Sequence, residues 1–153
     1  MADPIVRNMI AYLSVDYANK AIAWYRDVFR AVEAGIPLRM PDGKIVHCEI
    51  HIDDTPIFQA AAVYDGFGGS PNDLGGTPVR MPLNTKDADA TVAAEAKADV
   101  DVLIPVADQF YGQRAGRIRD PFGHVWLISQ LIEDVSSEEM QRRMDVMMQG
   151  GGG

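Results

Sequence analysis

Three side chains that can move protons or bind metal ions alternate along one short stretch of the chain: His47, Glu49 and His51. This stretch is predicted to be a β-strand, in which alternate residues point to the same face. Imidazole and carboxylate groups act as metal ligands and as general acids and bases. Alternate residues lie roughly 6.5–7 Å apart along a strand, so one ion cannot easily reach all three. Three interpretations stay open: an exposed polar sheet face, polar contacts inside a ligand pocket, and catalysis or metal binding.

A second candidate group lies in a glycine-flanked segment that contains Tyr111 and Arg114. Over the mouth of a pocket, the phenol would stack on a ligand and the guanidinium would bind an anion; ordinary loop packing is the alternative. Cys48 faces away from its neighbour His47 and is predicted to be a buried structural thiol. The sequence contains no glycine-rich phosphate loop, nucleophile elbow or paired-cysteine zinc pattern.

An internal repeat predicts the elements that position these residues. Residues 13–22 and 83–92 each combine the end of an apolar strand, an aspartate and an alanine-rich helix. Each copy continues into short strands with a glycine-containing turn. Because a repeat constrains the whole architecture, the sequence predicts two strand–helix–strand–strand–strand modules in one domain, at 1–149.

The first module is expected at about 5–63 and is followed by a linker at 64–78, whose Gly, Pro, Asn and Ser make a strand there unfavourable. Asp16 is predicted to cap its helix. A two-residue turn at 53–54 would set Glu49 opposite Phe58 and His47 opposite Ala60. Its strands are predicted at 6–15, 31–39, 44–52 and 56–63.

The second module is expected at about 79–132, with Asp87 capping a helix that runs to 98. A C-terminal helix at 136–147 begins with a capping box, in which Ser136 and Glu139 satisfy each other's backbone N–H groups. Its apolar stripe packs on the protein body or on a partner subunit and consists of Met140, Met144 and Met147. Residues 150–153 are predicted to be a glycine tail. The strands of this module are predicted at 79–85, 102–106, 112–119 and 124–131.

Composition restricts the classes of partner. The chain has 153 residues and a formal net charge of −8, which argues against a nucleic-acid partner and mildly favours cationic small ligands. A single cysteine fits a reducing compartment. No signal peptide precedes the first strand and no apolar run approaches the length of a membrane span. We therefore expect a cytoplasmic protein without a membrane partner.

Five segments carry a family resemblance: residues 12–16, 21–25 with Val28-Phe29, 108–116, 120–126 and 133–140. They resemble the vicinal oxygen chelate superfamily, also called the glyoxalase/bleomycin-resistance/dioxygenase group. The resemblance implies an α+β fold in which two βαβββ modules form an incomplete curved barrel around a cavity, and it implies a homodimer. Trp126 is then predicted to lie in the core beneath a helix, whereas Leu127 faces the cavity.

The resemblance also implies four positions for metal ligands, two in each module. In this chain they hold Ile10, Phe58, Arg80 and Leu127, with Gln59 as the alternative if the register of the fourth strand differs by one. A hydrocarbon side chain offers no donor atom, and a guanidinium cannot be deprotonated to bind a cation. The positions therefore predict neither a metal nor another cofactor.

The function predicted from these residues is metal-independent binding of a small organic molecule, aromatic or cationic, with antibiotic sequestration as one role. The alternative is an enzyme of the same superfamily, of the lyase, isomerase or dioxygenase type, that uses His47 and Glu49 or an unexpected divalent metal. The predicted ligand-binding residues are His47, Glu49, Phe58, Arg80, Tyr111, Arg114 and Leu127.

Overall fold

The computed structural model describes residues 5–52, 55–62, 68–96 and 99–151, with only the backbone described at 57–62 and 95–96. The chain divides into two compact units, 1–77 and 78–153. Helices and strands are both present throughout, so the predicted α+β class is confirmed. In chain order the elements are β1 Ala11–Val15, α1 Ala18–Phe29, β2 Val32–Arg39, β3 Ile45–Ile52, β4 Thr55–Ala62, α2 Pro71–Leu74, β5 Arg80–Asn84, α3 Ala88–Ala96, β6 Asp101–Asp108, β7 Gln113–Arg119, β8 Val125–Leu131 and α4 Ser137–Gly150.

The two units share one topology. The strand order is β1-β4-β3-β2 in the first sheet and β5-β8-β7-β6 in the second. In each sheet the first pair is parallel and the others are antiparallel. Helix α1 packs on its own sheet, and α3 packs on the other. The internal repeat is thus real, and the described strands form two separate sheets rather than one closed barrel.

The first unit is stabilised by apolar packing between α1 and its sheet. Tyr25 and Phe29 are four residues apart, so they share a helix face, and their rings stack with centroids 6.0 Å apart. Tyr25, Ile45 and Ile50 are almost fully buried, and each such side chain contributes roughly 1.5–3 kcal/mol. Cys48 is buried and forms no intrachain disulfide, as predicted.

The turn between β7 and β8 is organised by one buried carboxylate. Asp120 is 3% exposed and its Oδ1 accepts hydrogen bonds from the backbone N–H groups of Phe122 and His124, at 2.9 and 3.0 Å. Its Oδ2 accepts the indole N–H of Trp126 at 2.9 Å. Trp126 is buried, as the sequence predicted, and its polar atom is satisfied inside the fold.

The hairpin of β3 and β4 differs from the predicted register. Ile52 pairs with Thr55 and His51 with Pro56, but a bulge follows, and Ile50 then pairs with Phe58. A bulge places two residues of one strand against one of its partner. The prediction that Glu49 lies opposite Phe58 is therefore wrong.

Beyond the bulge every pair is displaced by one residue. Glu49 lies opposite Gln59, and Ala60 lies opposite Cys48 rather than His47.

The first helix begins without the cap that the sequence predicts. Its N-cap residue is Tyr17, and no side-chain cap bond is present. Asp16 instead accepts a hydrogen bond from Asn72 at 3.2 Å, a contact between residues far apart in sequence. The Asp16 prediction is wrong, whereas Asp87 does cap α3 by accepting from the N–H of Ala90 at 2.9 Å.

The capping box also occurs at a different place. Ser136 accepts from the N–H of Glu139 at 3.2 Å, but the Glu139 carboxylate binds arginines of α4 instead of returning a bond. The reciprocal pair forms at Ser70 and Asp73, which cap the short helix α2. The predicted linker therefore contains one helical turn.

The last strand of each sheet is irregular. Strand β2 contains Pro37, and its pairing with β3 shifts register at two places, between 34 and 39. Strand β6 contains Pro105, and its pairing with β7 shifts twice, between 102 and 107. Both strands thus bend away from a straight ladder.

Helix α4 runs through Gly150, three residues further than predicted, and none of its residues is buried. Its apolar stripe is largely open, with Met147 54% exposed. Of the helices in the described part of the chain, none is long and apolar enough to cross a membrane.

Candidate functional site

A pocket of about 370 Å³ lies in the second unit. It is formed on the sheet face opposite α3. Arg117 of β7 pairs with Leu127 of β8, and Leu127 pairs with Pro82 of β5. Paired residues on adjacent strands share a face, so these three side chains line one surface. The residues that line the pocket are Pro82, Asn84, Ile104, Gln109, Tyr111, Gln113, Ala115, Gly116, Arg117, Leu127 and Ser129.

The lining combines an apolar floor with placed polar groups. Pro82, Ile104 and Leu127 supply hydrocarbon surface, and Asn84 and Gln113 supply carboxamides that can both donate and accept hydrogen bonds. This composition is typical of small-molecule sites, where apolar contact supplies affinity and a few polar groups orient the ligand.

Arg117 is the single charged residue among those eleven lining residues. Its Nε atom is buried and has no hydrogen-bond partner. Among the described residues, no carboxylate forms an ion pair with it, although Arg114, Arg119 and Arg143 each have one. The pocket wall therefore carries a guanidinium that no carboxylate of the described residues neutralises.

The turn 109–112 carries Tyr111 to this pocket. The turn is closed by hydrogen bonds from the Gln109 N–H to the Gln113 carbonyl, at 2.7 Å, and from the Gly112 N–H to the Gln109 carbonyl, at 3.1 Å. Gly112 has a φ of 84°, and a Cβ there would lie 2.3 Å from the Glu133 carbonyl oxygen. Only glycine fits this position, so the turn that presents Tyr111 depends on it.

The start of α4 is fastened to the same turn. The Gly112 carbonyl accepts from the backbone N–H groups of Ile132 and Glu133, both at 3.0 Å. Arg143 donates to the Phe110 carbonyl at 3.0 Å and to both carboxylate oxygens of Glu133 at 2.9 and 2.7 Å. Arg143 also lowers the pKa of Glu133 by hydrogen bonding. The ring of Phe110 meets that of Tyr111 edge to face, with centroids 5.2 Å apart.

Arg114 has a different environment from the one that the sequence suggests. It lies between Gln113 and Ala115 on β7, and its side chain donates to Asp89 of α3 at 2.6 and 2.9 Å and to Asp108 at 2.8 Å. The hydrogen bonds from Arg114 hold the pKa of Asp89 below its ordinary value. With two carboxylates already bound, this placement does not support the predicted anion-binding role of Arg114.

The sheet of the first unit carries a separate polar cluster. The Tyr12 hydroxyl lies 3.0 Å from Nδ1 of His47, and Nε2 of His51 is hydrogen-bonded to the Glu49 carboxylate. His47, Glu49 and His51 are half-buried. Among the described residues, no three His, Cys, Asp or Glu side chains are placed to hold a metal ion together. The geometry provides two hydrogen-bonded pairs rather than one centre.

The predicted site residues thus separate into groups. Leu127 and Tyr111 line the pocket of the second unit, whereas His47 and Glu49 belong to the polar cluster of the first. Arg80 is exposed at the start of β5 and is not among the lining residues. The side chain of Phe58 lies outside the described part of the structure.

Sequence reasoning missed Arg117, Asn84 and Gln113. The signal for Arg117 was present, because the residue opposite Leu127 follows from counting back across the 120–124 turn. Arg119 pairs with Val125, so Arg117 must lie opposite Leu127.

The donor chemistry of the family's metal positions does not fit a metal ion. The positions predicted from the resemblance hold Ile10, Phe58 or its alternative Gln59, Arg80 and Leu127, so they offer at most one carboxamide. A divalent cation needs several oxygen, nitrogen or sulfur donors, and one amide does not supply them.

Comparison with known proteins identifies the family. The model of the Glyoxalase/Bleomycin resistance protein/Dioxygenase superfamily matches residues 7–128. An uncharacterized protein of Mycobacterium bovis, Mb0911c, is 37% identical over 137 residues, which cover 87% of this chain and 89% of that protein.

Solved structures with the same fold include a gene product of Arabidopsis thaliana, At5g48480, which is 26% identical with a TM-score of 0.64 over 82% of this chain and 99% of that chain. The fosfomycin resistance protein FosX of Listeria monocytogenes, solved with Mn(II) and sulfate, is 14% identical with a TM-score of 0.62 over 92% of this chain and 99% of that chain. At that identity the likeness to FosX concerns the fold alone.

Proposed function

The chain belongs to the glyoxalase/bleomycin resistance protein/dioxygenase superfamily, and we propose that it binds a small organic molecule in the pocket of its second unit without a metal ion. The observation that carries the proposal is the lining of that pocket. Leu127 stands at a position where the resemblance predicts a metal ligand, and it adjoins apolar surface and carboxamides instead of further metal donors.

Antibiotic sequestration is the role that we propose to test first. Support comes from the family description, which includes bleomycin resistance, and from a resistance protein among the structures that share the fold. A protein that sequesters its ligand needs affinity but no catalytic group. The pocket of the second unit offers apolar contacts together with hydrogen-bonding side chains.

The binding test uses two substitutions at one position. Ser129 lines the pocket, so Ser129→Phe would fill it while Ser129→Ala leaves it open. We would screen planar aromatic antibiotics by thermal shift and measure affinity for every compound that stabilises the wild-type protein. The proposal requires Ser129→Ala to bind like the wild type and Ser129→Phe to lose binding. Equal binding by both variants would place the ligand elsewhere.

A second candidate function is acid–base catalysis by the polar cluster of the first unit. The observation in its favour is the pair of hydrogen bonds, Tyr12 with His47 and Glu49 with His51, since a base held by a second polar group is a common catalytic arrangement. A robust rate with a glutathione hemithioacetal that Glu49→Ala abolishes would favour this enzyme over the binding protein.

A second copy of the chain is the protein partner that we propose. On β2, Ile36 is 97% exposed and Leu38 63% exposed, and a symmetric partner would cover such apolar side chains. The acidic net charge disfavours nucleic acid. The single buried thiol is compatible with the cytoplasm, which is the location that we propose.

A further inference from the structure

We infer that the ligand of this pocket is an organic anion whose carboxylate pairs with Arg117, an inference that rests on the proposed binding function. The guanidinium of arginine stays protonated in proteins and carries five N–H donors in a fixed fork. In this pocket the Nε–H of Arg117 is buried without an acceptor. A cation thus lies on the wall of a cavity, and the described residues supply no counter-charge for it.

The surroundings of Arg117 exclude an internal partner among the described residues. None of the eleven lining residues is acidic, and its cross-strand neighbours, Ile104 on β6 and Leu127 on β8, carry no carboxylate. Arg114 belongs to the same strand but is bound to Asp89 and Asp108. Arg119, two residues further along, is paired with Asp101 at 3.5 Å. The contrast along one strand singles out Arg117 as the arginine that lacks an acceptor.

Burying a charged donor without an acceptor is unfavourable. A carboxylate offers two coplanar oxygens that match the guanidinium fork, so a ligand of this class satisfies Arg117 directly. The hydrocarbon surface of Pro82, Ile104 and Leu127 suits an apolar or aromatic body attached to that carboxylate. A cationic ligand would be repelled at this position, which departs from the expectation based on the net charge of the whole chain.

The test uses three probes with the same ring: naphthoate, its neutral amide and naphthylmethylammonium. Their affinities for the wild-type protein are measured by isothermal titration calorimetry at low salt. The same titrations are made with Arg117→Gln, with Arg117→Lys, and with Arg119→Gln as the matched control on the same strand. Thermal melting of each variant checks that it is folded.

We expect the wild-type protein to bind naphthoate at least about tenfold more tightly than the amide, as charge-assisted hydrogen bonds allow, and to bind the ammonium probe most weakly. Arg117→Gln should remove the preference for naphthoate without weakening binding of the amide. Arg117→Lys should retain part of the preference for naphthoate, because the positive charge remains but the forked donors of the guanidinium are lost. Arg119→Gln should behave like the wild type.

Equal binding of naphthoate and the amide by the wild-type protein would overturn the anion inference and leave the proposed binding function standing. The same holds if Arg117→Gln keeps the preference for naphthoate. If none of the three probes binds, the inference and the proposed pocket both fail. Should the Arg117 variants not fold, the preference measured in the wild-type protein still decides whether the ligand class is anionic.

Discussion

Arg143 and Phe110 are joined by a hydrogen bond of 3.0 Å from Nη1 to the carbonyl oxygen, although 33 residues separate them in sequence. The same guanidinium holds Glu133 and Glu139. One side chain of α4 therefore fixes the helix to the 109–112 turn, which also contains the pocket residue Tyr111. The C-terminal helix and the ligand site are mechanically connected.

Lowering the pH should release α4. Hydrogen bonds from Arg142 and Arg143 lower the pKa of Glu139 from 4.5 to about 2, and Arg143 lowers the pKa of Glu133. Because the folded pKa lies below the unfolded value, the stabilisation is complete above about pH 4.5 and is lost as the pH falls toward 2. Hydrogen–deuterium exchange, corrected for its intrinsic rate, should rise in α4 before it rises in β7 and β8.

A variant separates this effect from general acid unfolding. Glu139→Gln removes the titrating group, so the exchange of its α4 should depend less on pH across that range. Simultaneous loss of protection in α4 and in β8 of the wild-type protein would contradict the expected local release.

Gly112→Ala should destabilise the protein more than Gly43→Ala. Both glycines have a left-handed φ, 84° and 86°, but an added Cβ meets nothing within 4 Å at Gly43 and meets the Glu133 carbonyl at Gly112. We expect Gly43→Ala to lower the free energy of unfolding by about 1–2 kcal/mol from backbone strain alone. Gly112→Ala adds a steric clash between the new Cβ and the Glu133 carbonyl oxygen, which costs about 1–3 kcal/mol more. Urea unfolding measures both, and equal losses would rule out the close approach to Glu133.

Asp120→Ala should be strongly destabilising. The substitution leaves two backbone N–H groups and the Trp126 indole N–H without their acceptor, and each buried donor left unsatisfied costs about 1–3 kcal/mol. Asp42→Ala is the control, since Asp42 also accepts a backbone N–H in a hairpin turn, from Lys44 at 3.0 Å, but is exposed. We expect the control to cost about 0.5 kcal/mol or less. Trp126 fluorescence during urea unfolding reports both changes.

Dialysis against zinc, nickel or manganese should leave well under one metal ion per chain. The reason is the donor set at the family positions, which offers at most the Gln59 carboxamide. Elemental analysis of protein purified without chelator is the measurement. A firm one-to-one metal content that survives gel filtration would refute metal-independent binding, and its loss in His47→Ala would assign the ion to the first unit.

Light scattering should give twice the chain mass of 16.8 kDa at micromolar concentration. The exposed apolar side chains of β2 are the part of the surface that a second copy would cover. Ile36→Lys should shift the mass toward that of one chain, whereas Val79→Lys, also at an exposed apolar residue but outside a strand, should not. A mass near 17 kDa for the wild-type protein would reject the dimer.

The sequence predicts the repeated topology because each strand, helix and turn is specified by local patterns. Asp87 caps α3 by accepting from Ala90, which is only three residues away, so this bond can be predicted from the local sequence. Asp16 is not the cap because the helix begins one residue later, with Tyr17 at the N-cap position, and the Asp16 carboxylate accepts instead from Asn72, 56 residues away. The predicted register of β4 is wrong for another reason, because the alternation of side chains along a strand does not reveal the bulge between Ile50 and His51.

The candidate site is less predictable than the fold. Leu127 could be predicted from the family resemblance, and Tyr111 from the glycine-flanked segment that contains it. The unpaired state of Arg117 could not, because it depends on which arginines of β7 find carboxylates on other elements. Asp89 and Asp108 reach Arg114, and Asp101 reaches Arg119, through tertiary contacts.

The irregular strands β2 and β6 bear on how this protein avoids aggregation. Each is the last strand of its sheet in the described structure, and each exposes apolar side chains, among them Ile36 and Ile104. A straight apolar edge strand is a template for fibril growth, because its free N–H and C=O groups recruit further strands. Pro37 and Pro105 each remove a backbone donor from these strands, and the register shifts beside them bend the ladder. These two strands can therefore present hydrophobic surface to solvent without offering a continuous row of backbone groups to β-sheet polymerisation.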